Sequence, residues 1–212
     1  MIENEEQARE FVAERCSAES FDLLDWFVTE LLAEAENQNL ISRSTIDCVW
    51  QRHIADSAQL LDHVPRGTAG VWLDLGTGAG FPGIITAIMR PEIPHLLVES
   101  RKRRVAWLER VIELSSLDNC SVLGSRLQLV ESFHAAVISA RAFAPLPDLI
   151  NLSARFSTER TIWLLPKGRS AEQERDELDS PQRKMFHVKQ SLTSRDAAIL
   201  VGKGRPKVGR RT

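Results

Sequence analysis

Apolar positions in the first third of the chain recur at intervals of three and four residues, which predicts helices with one buried face. The positions that show this spacing best are Leu23, Leu24, Phe27, Leu31 and Leu32. Ser20 is the expected N-cap of this helix. Ser44 with Asp47 resembles a capping box, and it predicts a second helix that runs to about His63. Pro65, Gly67 and Gly70 then end the pattern, so residues 1–64 are predicted to form an N-terminal helical cap.

From Val71 onward, short apolar runs alternate with amphipathic segments. The predicted strands are 71–75, 95–99, 121–124, 136–139, 161–165, 186–190 and 197–201. The predicted helices are 84–89, 101–117, 147–156 and 170–178. This alternation favours a doubly wound α/β domain over 65–202, with a parallel sheet and helices on both faces. The last two strands leave no room for a helix between them, so we expect a C-terminal antiparallel hairpin. Residues 203–212 are predicted to be a basic, mobile tail.

A glycine-rich loop from Gly76 to Gly83 follows the first predicted strand, and a helix follows the loop. Glycines let the main chain approach a ligand without a clash at Cβ. The dinucleotide fingerprint GxGxxG needs a glycine at position 81, where this chain has Phe81. The spacing here is GxGxG, at Gly76, Gly78 and Gly80, and it resembles the cofactor loop of class I S-adenosylmethionine (SAM) methyltransferases.

Glu99 supports a nucleoside cofactor, because it is predicted to end the second strand. A carboxylate at that place can accept hydrogen bonds from both hydroxyls of a ribose. SAM is therefore the expected cofactor, with S-adenosylhomocysteine as its product. The residues expected to bind it over the loop and strand end are Gly76, Thr77, Gly78, Gly80, Phe81 and Glu99.

The chain lacks residue types that some methylation reactions need, and this excludes several classes of methyl acceptor. Methylation of exocyclic amines commonly uses an Asn/Asp-Pro-Pro-Tyr element, and this chain has no tyrosine. Methylation of cytosine C5 needs a nucleophilic cysteine, usually after proline, and none of Cys16, Cys48 and Cys120 follows a proline. Guanine N7 fits what remains, because its free lone pair needs no general base and only has to be positioned. In RNA, such a base must be exposed in a loop or splayed out.

The chain resembles the bacterial RsmG (GidB) family of 16S rRNA guanine-N7 methyltransferases. The stretches that carry the resemblance are 39–41, Arg-His-Ile-Ala-Asp-Ser at 52–57, 73–84, Ser-Ala-Arg-Ala at 139–142, and Lys-Gly at 167–168. The resemblance implies a class I SAM-dependent methyltransferase fold. It also implies 16S rRNA or the 30S ribosomal subunit as partner, and guanine 527 of the 530 loop as target.

The resemblance further implies roles for single residues. Leu127 and Gln128 would contact SAM after the third strand, and Arg141 would lie beside SAM after the fourth. Arg141 and Lys167 would act in catalysis by positioning and charge, with no general base. Arg126, Lys167 and Arg195 would line the RNA-facing pocket. Relatives often carry an acid where Gln128 stands, and many lack Ala140 before Arg141.

Composition sets the broad class. The net charge is −2, yet residues 1–40 hold eleven acidic and two basic residues, while 201–212 hold five basic residues and no acidic one. Such a chain can present a basic face to RNA. The three widely spaced cysteines indicate a reducing cytoplasm, without disulfides or a zinc site. No membrane segment is predicted, no metal is expected, and a monomer is the default.

Three other functions stay open from the residues. One is an NAD-dependent oxidoreductase, which Phe81 disfavours. Another is a ribosome-assembly factor that binds SAM without turnover. The third is a small-molecule methyltransferase, which the negative net charge favours. Arg52, His53 and Asp56 fit either a surface ion-pair network or a group that covers the SAM pocket.

Overall fold

The computed structural model describes residues 1–207 and places a seven-stranded sheet at the centre of the molecule. The strands follow the order β3-β2-β1-β4-β5-β7-β6. Their bounds are β1 Val71–Leu75, β2 His95–Val98, β3 Cys120–Leu123, β4 Ala135–Ala140, β5 Ile162–Lys167, β6 Phe186–Gln190 and β7 Ala198–Lys203. Strands β1 to β5 are parallel, whereas β7 is antiparallel to both β5 and β6. The predicted α/β sheet and its C-terminal hairpin are therefore confirmed.

Helices cover both faces of this sheet. Their bounds are α1 Glu5–Ala13, α2 Ala18–Ala35, α3 Asp56–Ala58, α4 Gly83–Met89, α5 Lys102–Leu114, α6 Leu146–Ser153, α7 Ala171–Asp176 and α8 Ser180–Met185. Every residue of α4 is buried. The reason is that α4 lies in one apolar core with α5 and with the residues of the cap. The cap thus forms an outer layer over one face, while α6 packs on the other face against Leu73, Leu75 and Trp163.

The cap is helical, but the predicted N-caps and the predicted single helix up to His63 are wrong. Ser17, not Ser20, caps α2, and its hydroxyl accepts a hydrogen bond from the Ser20 amide. Ser42, not the Ser44–Asp47 pair, caps the next segment. Instead of one helix, that segment is a 3₁₀ helix (Arg43–Cys48), a π-helical turn (Trp50–Ala55), the single turn of α3, and a second 3₁₀ helix (Gln59–His63).

Glu5 of α1 gives a physical reason for the break between the 3₁₀ helix and the π-helical turn. Its carboxylate accepts hydrogen bonds from the amides of Trp50 (2.9 Å) and Gln51 (2.7 Å). These amides lie at the start of the π-helical turn, so a side chain 45 residues away acts as its cap.

The C-terminal part also differs from the prediction in two places. Helix α8 was not predicted, although Asp179 caps it and Pro181 lies in its first turn. In the predicted tail, the Gly204 carbonyl accepts a hydrogen bond from the Trp163 indole. The Lys207 carbonyl accepts one from the side-chain amide of Gln182. Strand β7 also ends at Lys203, the first residue of the predicted tail, and 208–212 lie outside the described residues.

His95 is a buried titratable group at the start of β2. Its ring stacks on Trp72 at 5.2 Å, and Nδ1 lies 2.8 Å from the Ile93 carbonyl oxygen, to which it donates. Burial lowers the pKa of His95 to about 4. In the unfolded chain the ring has an ordinary pKa of about 6.5. The unfolded state therefore binds more protons than the folded state between these values, and acid favours unfolding.

We expect the free energy of unfolding to fall by about 2 kcal/mol between pH 7 and pH 5, because the unfolded chain takes up a proton on His95 and the folded protein does not. The stabilisation that depends on a neutral His95 is complete above pH 6.5 and is lost as the pH falls towards 4. Urea unfolding at both pH values measures this. His95→Asn keeps an N–H donor but cannot titrate, so the pH-dependent loss should shrink by about 2 kcal/mol in the variant. An equal loss in both proteins would contradict the assignment.

Candidate functional site

The residues singled out in the sequence meet at one edge of the sheet. Gly76 follows β1, Glu99 follows β2, Arg141 follows β4, and Lys167 ends β5. These strands are parallel, so their carboxyl ends lie side by side, the place where open α/β sheets bind ligands.

Asp74 fixes the glycine loop at this edge. Its carboxylate is fully buried, and it accepts hydrogen bonds from the Ser139 hydroxyl (2.6 Å) and the Gly83 amide (3.0 Å). Burial raises the pKa of Asp74, while these hydrogen bonds oppose that shift. The Trp72 indole donates to the same Ser139 hydroxyl at 2.8 Å. One carboxylate thus joins β1, β4 and the start of α4, and sets where the loop turns.

Glu99 lies immediately after β2, one residue beyond the strand end. It is 6% exposed. One carboxylate oxygen accepts a hydrogen bond from the Gly78 amide at 3.2 Å, and the other accepts from the amides of Ser100 and Arg101. Arg104 lies 3.8 Å away. Glu99 is therefore held rigidly between the glycine loop and the start of α5.

A cavity of about 480 Å³, here called the loop cavity, opens beside Gly76 and Glu99. Its other walls come from the segment after β3, the start of α5 and the segment after β4. Of the predicted site residues, it brings together Gly76, Glu99, Arg126, Leu127 and Gln128. Thr77, Gly78, Gly80 and Phe81 are not part of its wall, and of these Thr77, Gly80 and Phe81 are buried.

A second cavity of about 1080 Å³, here called the arginine cavity, lies on the other side of the segment after β4. Arg141 and Lys167 both line it, whereas Arg141 is not part of the wall of the loop cavity. The cap contributes a wall, made of Thr45, Arg52, His53 and Asp56. The two cavities share Ala142, Phe143 and Ala144.

Arg141 is held from three directions, by two residues of the cap and by Phe81 of the glycine loop. Its guanidinium lies 3.2 Å from His53 Nδ1, 3.7 Å from the Asp56 carboxylate, and 4.8 Å from the centre of the Phe81 ring. Burial lowers the pKa of Arg141, and Asp56 and Asp74 oppose this shift. A guanidinium keeps its charge in any case. The site therefore contains a fixed, cationic hydrogen-bond donor.

His53 has a defined role as a hydrogen-bond acceptor. A guanidinium can only donate, so His53 Nδ1 accepts from Arg141, and Nε2 donates to the Thr45 hydroxyl at 2.9 Å. The ring stacks on Phe81 at 4.8 Å. Burial, followed by the charges of Arg141 and Arg52, lowers the pKa of His53 to about 3. The ring is therefore neutral near pH 7, and it is a poor general base.

The other basic residues predicted for the site differ in whether a carboxylate pairs with them. Lys167 donates to Glu174 at 2.7 Å, and the side chains are 12% and 23% exposed. Burial raises the pKa of Glu174, but hydrogen bonds from Lys167 and Ser170 outweigh it and lower the value. Arg126 and Arg195 are exposed, and within residues 1–207 neither has a carboxylate partner. Arg195 lies between Ser194 and Asp196, which line the arginine cavity.

Arg52 belongs to the group for which the sequence offered two alternatives, a surface ion-pair network or a cover over the SAM pocket. It is exposed on the wall of the arginine cavity, and among the described residues no carboxylate pairs with it.

Within the described part of the chain, no cluster of three or more His, Cys, Asp or Glu side chains could hold a metal ion. A search of the same residues finds no helix with the length and apolar character needed to cross a bilayer.

Comparison with known proteins identifies the family. A model of the family described as GidB, rRNA small subunit methyltransferase G, matches residues 21–199. The chain belongs to this family. It is 59% identical over 207 residues to a protein from Erythrobacter litoralis named ribosomal RNA small subunit methyltransferase G, covering 98% of this chain and all of the relative. A protein of the same name from Sphingopyxis alaskensis is 50% identical, over 97% of this chain and 88% of its own.

Solved structures agree on the fold. A SAM-dependent methyltransferase from Aquifex aeolicus superposes with a TM-score of 0.57 at 14% identity, covering 81% of this chain and 97% of that one. The class I methyltransferase fold predicted for this family member is therefore confirmed.

We expect the His53 ring to stay neutral from pH 8 down to pH 5, because its pKa of about 3 lies well below this range. NMR of ring-labelled protein measures the titration, and a His53→Asn variant assigns the signal. Arg141→Ala should raise the midpoint, since one repelling charge is removed. A midpoint above 5 in the unsubstituted protein would show that the His53 ring is not buried beside Arg141 as described.

Proposed function

We propose that this protein transfers the methyl group of SAM to N7 of a guanine in 16S rRNA, with the 30S subunit or its precursor as substrate. The observation that carries the proposal is the pair of adjoining cavities, one beside the glycine loop and Glu99 and one whose wall carries four cations among four carboxylates, with three residues in common. Its relatives are named as methyltransferases of small-subunit rRNA. Guanine 527 of the 530 loop is supported by the sequence resemblance alone.

The loop cavity fits SAM. The Glu99 carboxylate on its wall can accept hydrogen bonds from ribose hydroxyls. Leu127 and Gln128 lie on the same wall, where they would contact the adenine, and Arg155 donates a hydrogen bond to the Leu127 carbonyl, which holds that segment in place. The glycine loop supports the site from behind through the Gly78–Glu99 hydrogen bond. When bound, SAM supplies an electrophilic methyl group on a sulfonium.

The arginine cavity fits a base joined to a phosphate backbone. Arg141 and Lys167 lie inside it and can orient the acceptor through hydrogen bonds and charge. Arg52 lines this cavity, Arg195 lies between two residues that line it, and Arg126 lines the loop cavity; all three are exposed and would contact phosphates. Both cavities are complete within one chain, which supports a monomer. A ribosome substrate and three cysteines without disulfides support a cytoplasmic site of action.

Guanine N7 suits the chemistry of these side chains better than other acceptors. Its lone pair needs no deprotonation, and His53 is a poor base. None of the three cysteines lines either cavity, and burial raises the pKa of Cys120 to about 12. A cysteine-dependent C5 reaction is therefore disfavoured. Family membership also disfavours the oxidoreductase and the small-molecule methyltransferase.

The direct test incubates the pure protein with labelled SAM and 30S subunits that lack the modification, followed by nucleoside mass spectrometry of the rRNA. We expect about one 7-methylguanosine per particle. Arg141→Ala should remain folded, since Asp56 keeps its hydrogen bonds from Gln59 and Thr193, but should lose most transfer. Intact SAM binding without label in rRNA would instead favour the non-enzymatic assembly factor.

A second test concerns the cofactor alone. Gly78 has a left-handed backbone (φ +63°), and a Cβ there would meet no neighbouring atom closer than 3.5 Å. Gly78→Asp should therefore fold, at a cost of about 1 kcal/mol. Its carboxylate would lie beside Glu99, so we expect loss of SAM binding by calorimetry. Normal binding by the variant would mean that the loop does not form the SAM site.

A further inference from the structure

The wall between the two cavities contains one large side chain, Phe143. It is flanked by Ala142 and Ala144, and these three residues are the ones that the cavities have in common. A methyl group that passes from a cofactor in the loop cavity to a base in the arginine cavity must move past these three residues. Phe143 is therefore next to the path of the transferred group.

The ring of Phe143 lies directly on the glycine loop. A Cβ at Gly76 would come within 2.6 Å of Cδ2 of Phe143, so the ring occupies the space that a side chain at Gly76 would need. This contact joins the segment after β4 to the segment after β1. The ring thus reaches from the arginine cavity to the main chain of the loop cavity.

Phe143 makes no aromatic or cation–π contact within residues 1–207. By contrast, Phe81 stacks on His53 and lies under the Arg141 guanidinium, and Phe156 contacts Phe133 and Arg155. The Phe143 side chain packs in part against an apolar core cluster, yet it is only half-buried and lines both cavities. A partly exposed aromatic ring in a cavity is the kind of surface on which an unstacked RNA base packs.

The backbone before the ring is also unusual. Ala142 has φ +52°, a left-handed conformation that residues with a Cβ rarely adopt. Such strain persists where the surrounding structure requires it, often at ligand sites. Here it turns the chain directly before Phe143.

We propose that the acceptor guanine stacks on the ring of Phe143 during methyl transfer. This inference rests on the proposed function. In the transfer, the N7 lone pair forms the new N–CH₃ bond while the S–CH₃ bond breaks and its electron pair stays on sulfur. No proton leaves N7, so the positive charge moves from the sulfonium to the purine. An aromatic face attracts positive charge, and Phe143 therefore favours the charged 7-methylguanine ring as well as its position.

The experiment compares Phe143→Leu with Phe143→Tyr, which keeps the ring. Leu129→Ala is the matched control, because Leu129 is 76% exposed and lines neither cavity. Calorimetry with S-adenosylhomocysteine measures cofactor affinity. Single-turnover formation of 7-methylguanosine in unmodified 30S subunits measures transfer. Circular dichroism verifies folding, and Phe143→Met replaces the leucine variant if that variant does not fold.

We expect Phe143→Leu to lower the transfer rate at least about ten-fold, with cofactor affinity changed by less than about three-fold. Phe143→Tyr and Leu129→Ala should stay within about three-fold of the unsubstituted protein in both measurements. Transfer at the unsubstituted rate in Phe143→Leu would overturn the inference. So would a loss of cofactor affinity equal to the loss of transfer, because the ring would then serve only the cofactor.

The unsubstituted protein separates this outcome from a failure of the proposed function. If it forms 7-methylguanosine and Phe143→Leu does so equally well, the function stands and the stacking role is wrong. If the unsubstituted protein binds S-adenosylhomocysteine but forms no 7-methylguanosine, the proposed function is wrong and the stacking role falls with it.

Discussion

The buried carboxylate of Asp74 is the interaction on which the site's geometry depends. It is fully enclosed, and its hydrogen bonds from Ser139 and Gly83 join β4 and the start of α4 to β1. Removing a hydrogen-bond partner from a buried polar group costs about 1–3 kcal/mol, so these three elements are held in a fixed relation. Because Arg141 follows β4 and the glycine loop follows β1, the same hydrogen bonds also fix how the two cavities meet.

The helical cap completes the site rather than merely covering it. Its buried residues share one apolar core with α4 and α5, so it cannot move away without exposing that core. Through this packing it presents His53 and Asp56 to Arg141. The low pKa of His53 therefore helps to hold Arg141 in place. The neutral ring accepts a hydrogen bond that a protonated ring could not, and Arg141 stays oriented.

Local patterns predicted the parts of the structure that local forces determine. The strands around β1 and the glycine loop follow from short apolar runs and glycine spacing, and the antiparallel hairpin follows from a missing helix. The cap's irregular segment does not follow in this way, because its break is stabilised by Glu5, which is distant in the chain. The partners of Arg141 and Lys167 were equally hidden, since they come from separate elements and show no fixed spacing. The Arg-His-x-x-Asp-Ser stretch placed the right residues near the site, but only the fold shows that His53 and Asp56 both hold one guanidinium.

Two kinds of cation lie in and beside the two cavities, and their pairing separates their tasks. Arg141 and Lys167 are partly buried and already paired with Asp56 and Glu174, so they are oriented before any ligand arrives and reorganise little. Arg52, Arg126 and Arg195 are exposed without carboxylate partners among the described residues. Unpaired surface cations supply salt-dependent attraction to phosphates but little geometry. Methyl transfer to an acceptor that needs no proton removed depends above all on how the acceptor is positioned. In the proposed reaction, the side chains that position it are the paired cations, Arg141 and Lys167, and Phe143 between the two cavities.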